Sequence, residues 1–404
     1  MEEKLLERCC GLDVHSRTVV ACLVSPDLAD GHEVRTFGTT TRELLGLADW
    51  LEAQGCGDVA MESTGSYWKP VYNLLEGRFR LVVVNSRYLK ILPGRKSDVR
   101  DAEWIAWLFQ RGMLKASAIP SRDERELREL SRYRTSLVQE RASEVNRIRK
   151  VLEGANLKLG SVVSDIVGAS GREMLEQLVN GVVDPEQLAA LARGRLRASQ
   201  DELIEALVGA AGPHQRFILR QQLGHIEDLD RHIQEVEEEI ERRMRPFAEV
   251  RARLQTIPGV GPKTASLLIA EIGIGFRYFS DARQLASWAG LCPGQNESAG
   301  RKKSSRTTQG SPWLRAGLVQ AAHAAAHSRS ALGDRYRRLR GRIGSKKAAV
   351  AIAHQILVIA YAVVTRGESY EDARLLPYHQ PDIALQYVRK LERLGYRVSI
   401  QPAA

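Results

Sequence analysis

The order of strand-like and helix-like segments in the first 115 residues limits the possible folds more than any other feature. Residues 11–14, 18–24 and 33–37 are short, rich in β-branched side chains and bounded by turn residues, which predicts a meander of three strands. Helical and strand-like segments alternate after that point. The later predicted elements are a helix capped by Thr41, a strand at 59–62, a helix at 67–75, a strand at 81–84 and a final helix from Asp98.

Three strands followed by alternating helices and strands is the order of a ribonuclease-H-like α/β layer. In such a layer, acidic residues at the ends of neighbouring strands and on an adjacent helix can share one edge of the sheet. The sequence therefore predicts that any chemistry of this region lies at that edge.

Four carboxylates stand at positions that this fold would bring to one edge. Asp13 lies in a short apolar run, and Glu62 ends another. Asp98 and Asp101 are three residues apart, so a helix would project them from one face. Any one of these acids alone would most often be solvated surface. Four converging carboxylates repel each other unless a divalent cation lies between them, and oxygen ligands suit Mg²⁺ or Mn²⁺.

The distribution of charge indicates a nucleic-acid partner. The 404 residues carry 59 Lys and Arg against 49 Asp and Glu, a net charge of +10. Residues 298–347 hold thirteen of the basic residues and one acid, Asp334, so this segment carries +12 and the rest of the chain −2. A basic segment of this density is typical of a nucleic-acid surface. A solvated face or a disordered tail is the alternative, against which Trp313 and Leu318 indicate folded structure.

Cysteine usage and hydropathy predict a protein of the reducing cytoplasm. The five cysteines are odd in number and form no C-x-x-C pair, which argues against a disulfide framework and a zinc site. We expect no N-terminal signal, because residues 1–8 are acidic and hold few apolar side chains. The most apolar window, residues 348–365, is interrupted by His354 and Gln355 and predicts a buried helix rather than a membrane span.

Two long helices are predicted in the middle of the chain, at about 122–153 and 217–244. In the second, Leu219, Ile226, Ile233 and Ile240 recur every seven residues, which is typical of a coiled-coil seam. This seam could pair with another chain or fold back on the first helix. Residues 160–215 between the two helices carry no chemical signature.

Two segments of the last third could contact phosphate. The run Ile-Pro-Gly-Val-Gly-Pro-Lys-Thr-Ala at 257–265 is a helix-hairpin-helix pattern, in which Lys263 and Thr264 open the second helix. A plain turn between helices is the alternative. Ser298 lies in a Gly-rich polar loop directly before a cluster of basic residues, which would stabilise an attacked phosphate. A loop serine without such a context is usually structural.

Together these motifs resemble those of the DEDD transposases of the bacterial insertion-sequence 110 family. Asp13, Glu62 in Glu-Ser-Thr-Gly, and Asp98 and Asp101 in Lys-Ser-Asp-Val-Arg-Asp-Ala correspond to the family's four acids. The Pro-Gly-Val-Gly turn, Ala-Gly-Leu-Cys-Pro and the Glu-Ser loop resemble its C-terminal domain. Ser298 falls where the family places its nucleophilic serine.

The resemblance implies a fold class of α/β plus all-α. Residues 1–118 would form a ribonuclease-H-like (RuvC-like) catalytic domain. Residues 119–250 would form a helical, coiled-coil oligomerisation region with a small helical insertion at about 155–215. Residues 251–404 would form a mainly helical C-terminal transposase domain with the helix-hairpin-helix-like turn, the serine loop and the basic block.

The resemblance also implies a mechanism and partners. The four acids would bind Mg²⁺ or Mn²⁺, and Ser298 would attack the phosphorus and form a covalent protein–DNA link. Family members act as homo-oligomers, dimers or tetramers, in which the serine domain of one protomer completes the acidic domain of another. They use a structured guide (bridge) RNA from their own element to choose DNA. One departure is local, since relatives tend to have glycine directly after the serine and this chain has Ala299 before Gly300.

The residues that we expect to contact nucleic acid are all Lys, Arg or Thr of the last third of the chain. They are Lys263, Thr264, Arg301, Lys302, Lys303, Arg306, Arg335, Arg337, Arg338, Arg340, Arg342, Lys346 and Lys347.

Other functions stay open at this point. A metal-dependent nuclease of the Holliday-junction type would use the same acids without a serine. A non-catalytic nucleic-acid-binding protein would bind DNA or RNA and cut neither. An actin-like sugar kinase or ATPase shares the Gly-Leu-Asp first strand, but its phosphate-binding glycine loops are missing from the first 115 residues. A DNA invertase of the same family would carry identical catalytic parts.

We expect the salt dependence of nucleic-acid binding to report on the basic block. Neutralising Arg301, Lys302, Lys303 and Arg306 together removes up to four phosphate partners. The slope of log K against log salt should then flatten by about 3 to 4 units if all four contact duplex DNA. Fluorescence anisotropy at several salt concentrations measures this slope, and an unchanged slope would place the four side chains in solvent.

Overall fold

The computed structural model divides into two compact units, residues 1–120 and 121–404. The predicted boundary near residue 250 falls inside the second unit. The structure describes residues 6–63, 65–86, 98–194, 197–293, 296–298, 301–304, 307, 309–371, 391–392, 395 and 398, and only the backbone of 98–100, 296–298 and 301–304.

The first unit is an α/β layer built on a five-stranded mixed sheet with strand order β3-β2-β1-β4-β5. The first three strands are antiparallel neighbours, whereas β4 runs parallel to both β1 and β5. The elements of this unit are β1 (Cys9–Val14), β2 (Thr18–Val24), β3 (His32–Gly38), α1 (Thr41–Ala53), β4 (Asp58–Glu62), α2 (Trp68–Leu75), β5 (Arg80–Val84) and α3 (Asp98–Gln110).

These elements match the predicted order, and each boundary lies within two residues of its expected place. The mixed sheet of the first unit and the helical second unit confirm the predicted combination of α/β and all-α regions, and both fit a ribonuclease-H-like layer. The prediction of Thr41 as the cap of α1 is wrong by one residue, because it is the Thr40 hydroxyl that accepts a hydrogen bond from the Glu43 backbone N–H. Its apolar face packs on the side of the sheet that also receives α2.

Helix α3 lies directly on β1 because Gly11 has no side chain there. A Cβ atom on Gly11 would overlap the backbone N of Ala106 and lie 2.5 Å from the backbone O of Ala102 and 2.9 Å from the Cα of Ala106. Ala102 and Ala106 are fully buried on the helix face that meets the strand. Small residues on both sides thus bring the helix that begins at Asp98 onto the strand that carries Asp13.

Within its described residues, the second unit is helical apart from one short hairpin. Its elements are α4 (Arg122–Gly154), α5 (Leu159–Val162), α6 (Ala169–Val179), α7 (Pro185–Ala189), α8 (Gln200–Leu207), α9 (Pro213–Met244), a 3₁₀ turn (Arg245–Phe247), α10 (Ala248–Gln255), α11 (Pro262–Ile272), a 3₁₀ turn (Ile274–Phe276), α12 (Ala282–Trp288), β6 (Asn296–Ser298), β7 (Arg301–Ser304), α13 (Pro312–Ala326), α14 (Ala331–Ile343) and α15 (Ser345–Arg366).

The long helices α4 and α9 pair with each other in opposite directions. Arg134 contacts Glu237 at 2.6 Å, and Arg141 contacts Asp230 at 2.5 Å. Ile226 is fully buried in this pairing, so the heptad seam folds back on the first long helix, which is one of the two predicted arrangements. Self-association through the seam stays a prediction without support from this packing.

Two hydrophobic cores fill the second unit. The small helices α5 to α8 pack around the far ends of α4 and α9, while the larger core surrounds α11, α13 and α15. Among the described residues, one helix, Ser345–Arg366, has the length and composition to cross a membrane, and more than half of its most apolar stretch is buried in the larger core. This burial is typical of a central helix in a helical domain.

Replacing Gly11 with alanine is expected to destabilise the first unit. The added methyl group meets backbone atoms of α3, which cannot rotate away, so the free energy of unfolding should fall by about 1–3 kcal/mol. Denaturant titration monitored by circular dichroism measures this change.

Gly46→Ala is the matched control. Its Cβ would meet open space on α1, and alanine in a helix is worth up to about 1 kcal/mol more than glycine. Equal stability of the Gly11→Ala variant and the wild type would contradict the close contact between α3 and β1.

Candidate metal centre and nucleic-acid interface

The ends of two parallel strands place Asp13 and Glu62 side by side. Strands β1 and β4 pair with Leu12 opposite Met61, and the next residue along each strand is the acid. Asp13 is 6% exposed, so its carboxyl is almost entirely shielded from solvent. The structure therefore brings these two predicted acids to the same edge of the sheet.

The third acid, Asp101, acts electrostatically on this pair from helix α3. Burial raises the pKa of the Asp13 carboxyl above its ordinary value, the His15 ring lowers it in part, and the negative charges of Asp101 and Glu62 raise it again. Asp98 opens the same helix one turn earlier, but its side chain lies outside the described residues. The structure thus brings Asp13 and Glu62 to one edge, with Asp101 within electrostatic range, and describes only the backbone of Asp98.

This donor set fits a divalent cation, because it consists of carboxylate oxygens whose charges already oppose one another. Burial is the largest cause of the raised pKa of Asp13, the charges of Asp101 and Glu62 add to it, and a cation beside these acids would favour the ionised form. Among the described side chains, no group of three or more His, Cys, Asp or Glu residues is close enough to hold a metal ion.

His15 is a site residue that the sequence analysis missed. Its Nε2 lies 2.9 Å from Asp13 Oδ2, and its backbone N–H donates to the Thr18 carbonyl in the turn between β1 and β2. The sequence does contain a signal for the contact between His15 and Asp13, because residues i and i+2 of a strand point to the same side. The hydrogen bond orients the Asp13 carboxylate.

Ser298 is the last residue of β6 in the β6–β7 hairpin, so it ends a strand and does not lie in the predicted loop. Its Cα is the register partner of Arg301, and Glu297 is paired with Lys302. The backbone therefore places the predicted nucleophile across the strands from the start of the basic cluster. Arg306 lies outside the described residues.

A backbone contact and a buried ion pair fix the root of this hairpin. A Cβ on Gly310 would overlap the backbone N of Gly290 and lie 2.6 Å from the Ala289 carbonyl, so the two ends of the segment meet. Glu271 is fully buried, accepts two hydrogen bonds from Arg132 at 2.7 and 2.9 Å, and accepts a third from Ser311 Oγ at 3.0 Å. Sequence analysis did not identify these two residues, Glu271 and Arg132, as supports of the serine segment.

The predicted basic residues of α14 and the start of α15 form an exposed surface. Arg337 pairs with Asp334 at 2.6 Å, whereas five others, all exposed, form no ion pair within the described part of the chain. Two of the five stand in the first turn of α15, where the helix dipole disfavours cations and a bound anion would offset that cost. The five are Arg338, Arg340, Arg342, Lys346 and Lys347, and Arg335 on the same helix is half-buried.

The turn between α10 and α11 packs tightly, with Lys263 and Thr264 at its exposed side. Gly259 has φ +87°, and a Cβ there would lie 2.8 Å from the backbone N of Ala325. Lys263 Nζ is 2.5 Å from Glu237 Oε1, so the predicted phosphate contact is already neutralised by a carboxylate. Lys263 would have to leave Glu237 to contact a phosphate.

Comparison with known proteins matches two segments of the chain, the one that carries the four acids and the one that carries Ser298. A transposase family model of the DEDD type, IS110, matches residues 10–157, and the transposase IS116/IS110/IS902 family matches residues 251–337. The first match includes the four acids, and the second includes the serine hairpin and most of α14.

Individual relatives agree with these matches. A protein named "Probable family 20 transposase" from Pseudomonas aeruginosa is 27% identical over 77% of this chain and 85% of its own length. The transposase for insertion sequence element IS1111A of Coxiella burnetii is 25% identical over 78% of this chain and 79% of its own. A pilin gene-inverting protein of Moraxella bovis is 33% identical over 29% of this chain and 38% of its own.

Asp13→Asn is expected to stabilise the first unit at neutral pH. The pKa of Asp13 is raised in the folded state, so its ionisation costs folding free energy at pH values above that raised pKa. The neutral amide removes this cost, and the free energy of unfolding should rise by about 0.5–2 kcal/mol. Below the ordinary aspartate pKa of about 3.9 the carboxyl is protonated in both states, so the difference should vanish.

Denaturant titrations across this pH range measure the effect. The control is Asp30→Asn in an exposed loop, which should change stability little. A less stable Asp13→Asn variant at neutral pH would show that the ionised carboxylate supports the fold.

Proposed function

The chain belongs to the IS110 family of transposases, and from that premise we propose that it cuts and rejoins DNA at specific sites with a metal-binding carboxylate set and a serine nucleophile. The observation that carries the proposal is the placement of Asp13 beside Glu62 at one sheet edge, where burial raises the pKa of Asp13 and the charges of Asp101 and Glu62 raise it further. An acid that only solvated the surface would not be buried as Asp13 is.

The four carboxylates of Asp13, Glu62, Asp98 and Asp101 would hold Mg²⁺ or Mn²⁺. A bound cation of this kind polarises the scissile phosphodiester and neutralises charge on the leaving oxygen. The protein's own part is to fix the ligands: β1 and β4 hold Asp13 and Glu62 in register, His15 orients Asp13, and α3 supplies the other two acids. No nucleotide cofactor is required.

Ser298 would attack the phosphorus, so that a serine–phosphate bond forms as the DNA ester bond breaks. The hydroxyl of a second strand end would then displace Ser298, which keeps the number of phosphodiester bonds constant. Two observations support this role, the position of Ser298 at the end of β6 and its register partner Arg301. Cations beside the attacked phosphate stabilise its transition-state charge.

The exposed basic surface of α14 and α15 would bind nucleic-acid backbone. A guide (bridge) RNA of the element and its DNA targets both present the phosphate charges that this surface fits, so we propose both as partners. We further propose that the protein acts in the bacterial cytoplasm as a homo-oligomer, a dimer or tetramer, in which one protomer's serine serves another's acids.

Two other functions can be separated from this one. The similarity to a pilin gene-inverting protein keeps site-specific inversion open, since it would use the same residues on a different arrangement of DNA sites. A Holliday-junction nuclease would use the acids to activate water and would leave no covalent adduct.

Ser298→Ala is expected to abolish the protein–DNA adduct while leaving DNA binding unchanged, because only the nucleophilic oxygen is lost. The assay incubates labelled element-end DNA, the protein and its co-purifying RNA with Mg²⁺, and resolves the products on a denaturing gel. The wild type should yield a labelled protein band that disappears in Ser298→Ala and, for lack of metal, in Asp101→Asn.

Ser304→Ala, in the neighbouring strand β7, is the matched control and should keep the adduct. A labelled protein band that persists in Ser298→Ala would assign the nucleophile to another residue. Cleavage by the wild type without any adduct would favour the nuclease.

A further inference from the structure

A cavity of about 410 Å³ lies in the second unit, where the paired helices α4 and α9 meet α11 and α13. Its lining includes the apolar side chains of Leu267 and Trp313 and the charged groups of Arg134, Glu237 and Lys263. This volume falls in the range of small-ligand pockets, roughly 300–1,000 Å³. None of the residues proposed for strand cleavage lines it.

Trp313 is the one tryptophan in the described part of the chain without an aromatic or cationic partner. Trp50 lies 5.6 Å from Phe37 between ring centroids, and Trp288 lies 5.2 Å from Phe279. Trp68, Trp104 and Trp107 also have ring partners, at 5.7 and 5.0 Å. The half-buried indole of Trp313 therefore offers the cavity a stacking surface that the protein itself does not use.

Each cation beside the cavity is paired with a carboxylate. Arg134 and Lys263 both contact the carboxylate of Glu237, at 2.6 and 2.5 Å, and Glu241 at the rim contacts Arg251 at 2.5 Å. A free phosphate would find no uncompensated cation here. A neutral, flat group with hydrogen-bonding edges suits the cavity better, since exposed Gln139 and Gln320 line its mouth.

We propose that this cavity receives an unpaired nucleobase of the bound nucleic acid, stacked on Trp313. The inference rests on the proposed function in one respect, that the chain binds nucleic acid. Stacking on an aromatic ring contributes about 1–3 kcal/mol per base regardless of sequence, and the amides at the mouth supply donors and acceptors for the base edge.

The position of Trp313 in the chain supports this occupant. Trp313 lies in the first turn of α13, the helix that follows the serine hairpin directly. A base bound there would belong to the nucleic acid that the same unit binds. Its binding would stabilise a local distortion of that nucleic acid. A bulged base suits the cavity because little pairing energy is lost when it leaves the stack.

The test compares two DNA duplexes that differ in one nucleotide. The first carries a single 2-aminopurine bulge, and the second is fully paired. Full-length wild type should bind the bulged duplex about 5- to 150-fold more tightly than the paired one, and should change the 2-aminopurine fluorescence. Trp313→Leu should lose this preference but bind the paired duplex as before, and Trp313→Phe should retain most of it.

A second variant covers the case in which Trp313→Leu fails to fold. Ala316 lies on the exposed side of α13 and lines the cavity, so Ala316→Leu narrows the space beside the indole while Trp313 itself is kept. It too should lose the bulge preference. Trp288→Leu, which removes a tryptophan of the same unit outside the cavity, should keep it.

The outcomes separate this inference from the proposed function. Equal wild-type affinity for both duplexes, or a bulge preference that survives in Ala316→Leu, would overturn the cavity assignment even if strand transfer succeeds. A bulge preference that depends on Trp313 in a protein without strand transfer would support the cavity while overturning the proposed reaction. Absence of any DNA binding would overturn both.

Discussion

The contact between the backbone of α3 and Gly11 determines where the acids of the first unit lie. Helix α3 reaches β1 because Gly11, Ala102 and Ala106 place no large side chain between the helix and the strand. A larger residue at any of these positions would lift the helix from the sheet and move Asp101 away from Asp13. Asp13 is buried two residues further along the same strand, and this burial makes its ionisation costly.

The order of elements and the acids could be predicted from the sequence because both follow from local rules. Strand and helix periodicity depends on neighbouring residues, and the carboxyl ends of parallel strands meet at one edge of a sheet, where the register of β1 and β4 sets Asp13 beside Glu62. The pair of Arg132 with Glu271 follows no such rule. Its partners are 139 residues apart, and only the packing of α4 against α11 makes them neighbours.

The heptad pattern of α9 shows where prediction from periodicity ends. An apolar stripe repeated every seven residues specifies that a seam exists, but the same stripe can accept a second chain or another helix of its own chain. Charged residues outside the stripe determine which partner the seam takes. Arg134 and Arg141 of α4 form ion pairs with Glu237 and Asp230 of α9. Such matched charges can be recognised in the sequence only once the antiparallel register of the two helices is known.

The meeting of Gly290 and Gly310 makes the serine hairpin an appendage closed at its base. The helices on either side are joined there by backbone contact and by the bond from Ser311 to buried Glu271, neither of which passes through the hairpin. Changing the length of a closed loop costs little free energy. A copy of the gene that lost the hairpin would therefore encode a chain whose helical unit still folds but which lacks the segment that carries Ser298.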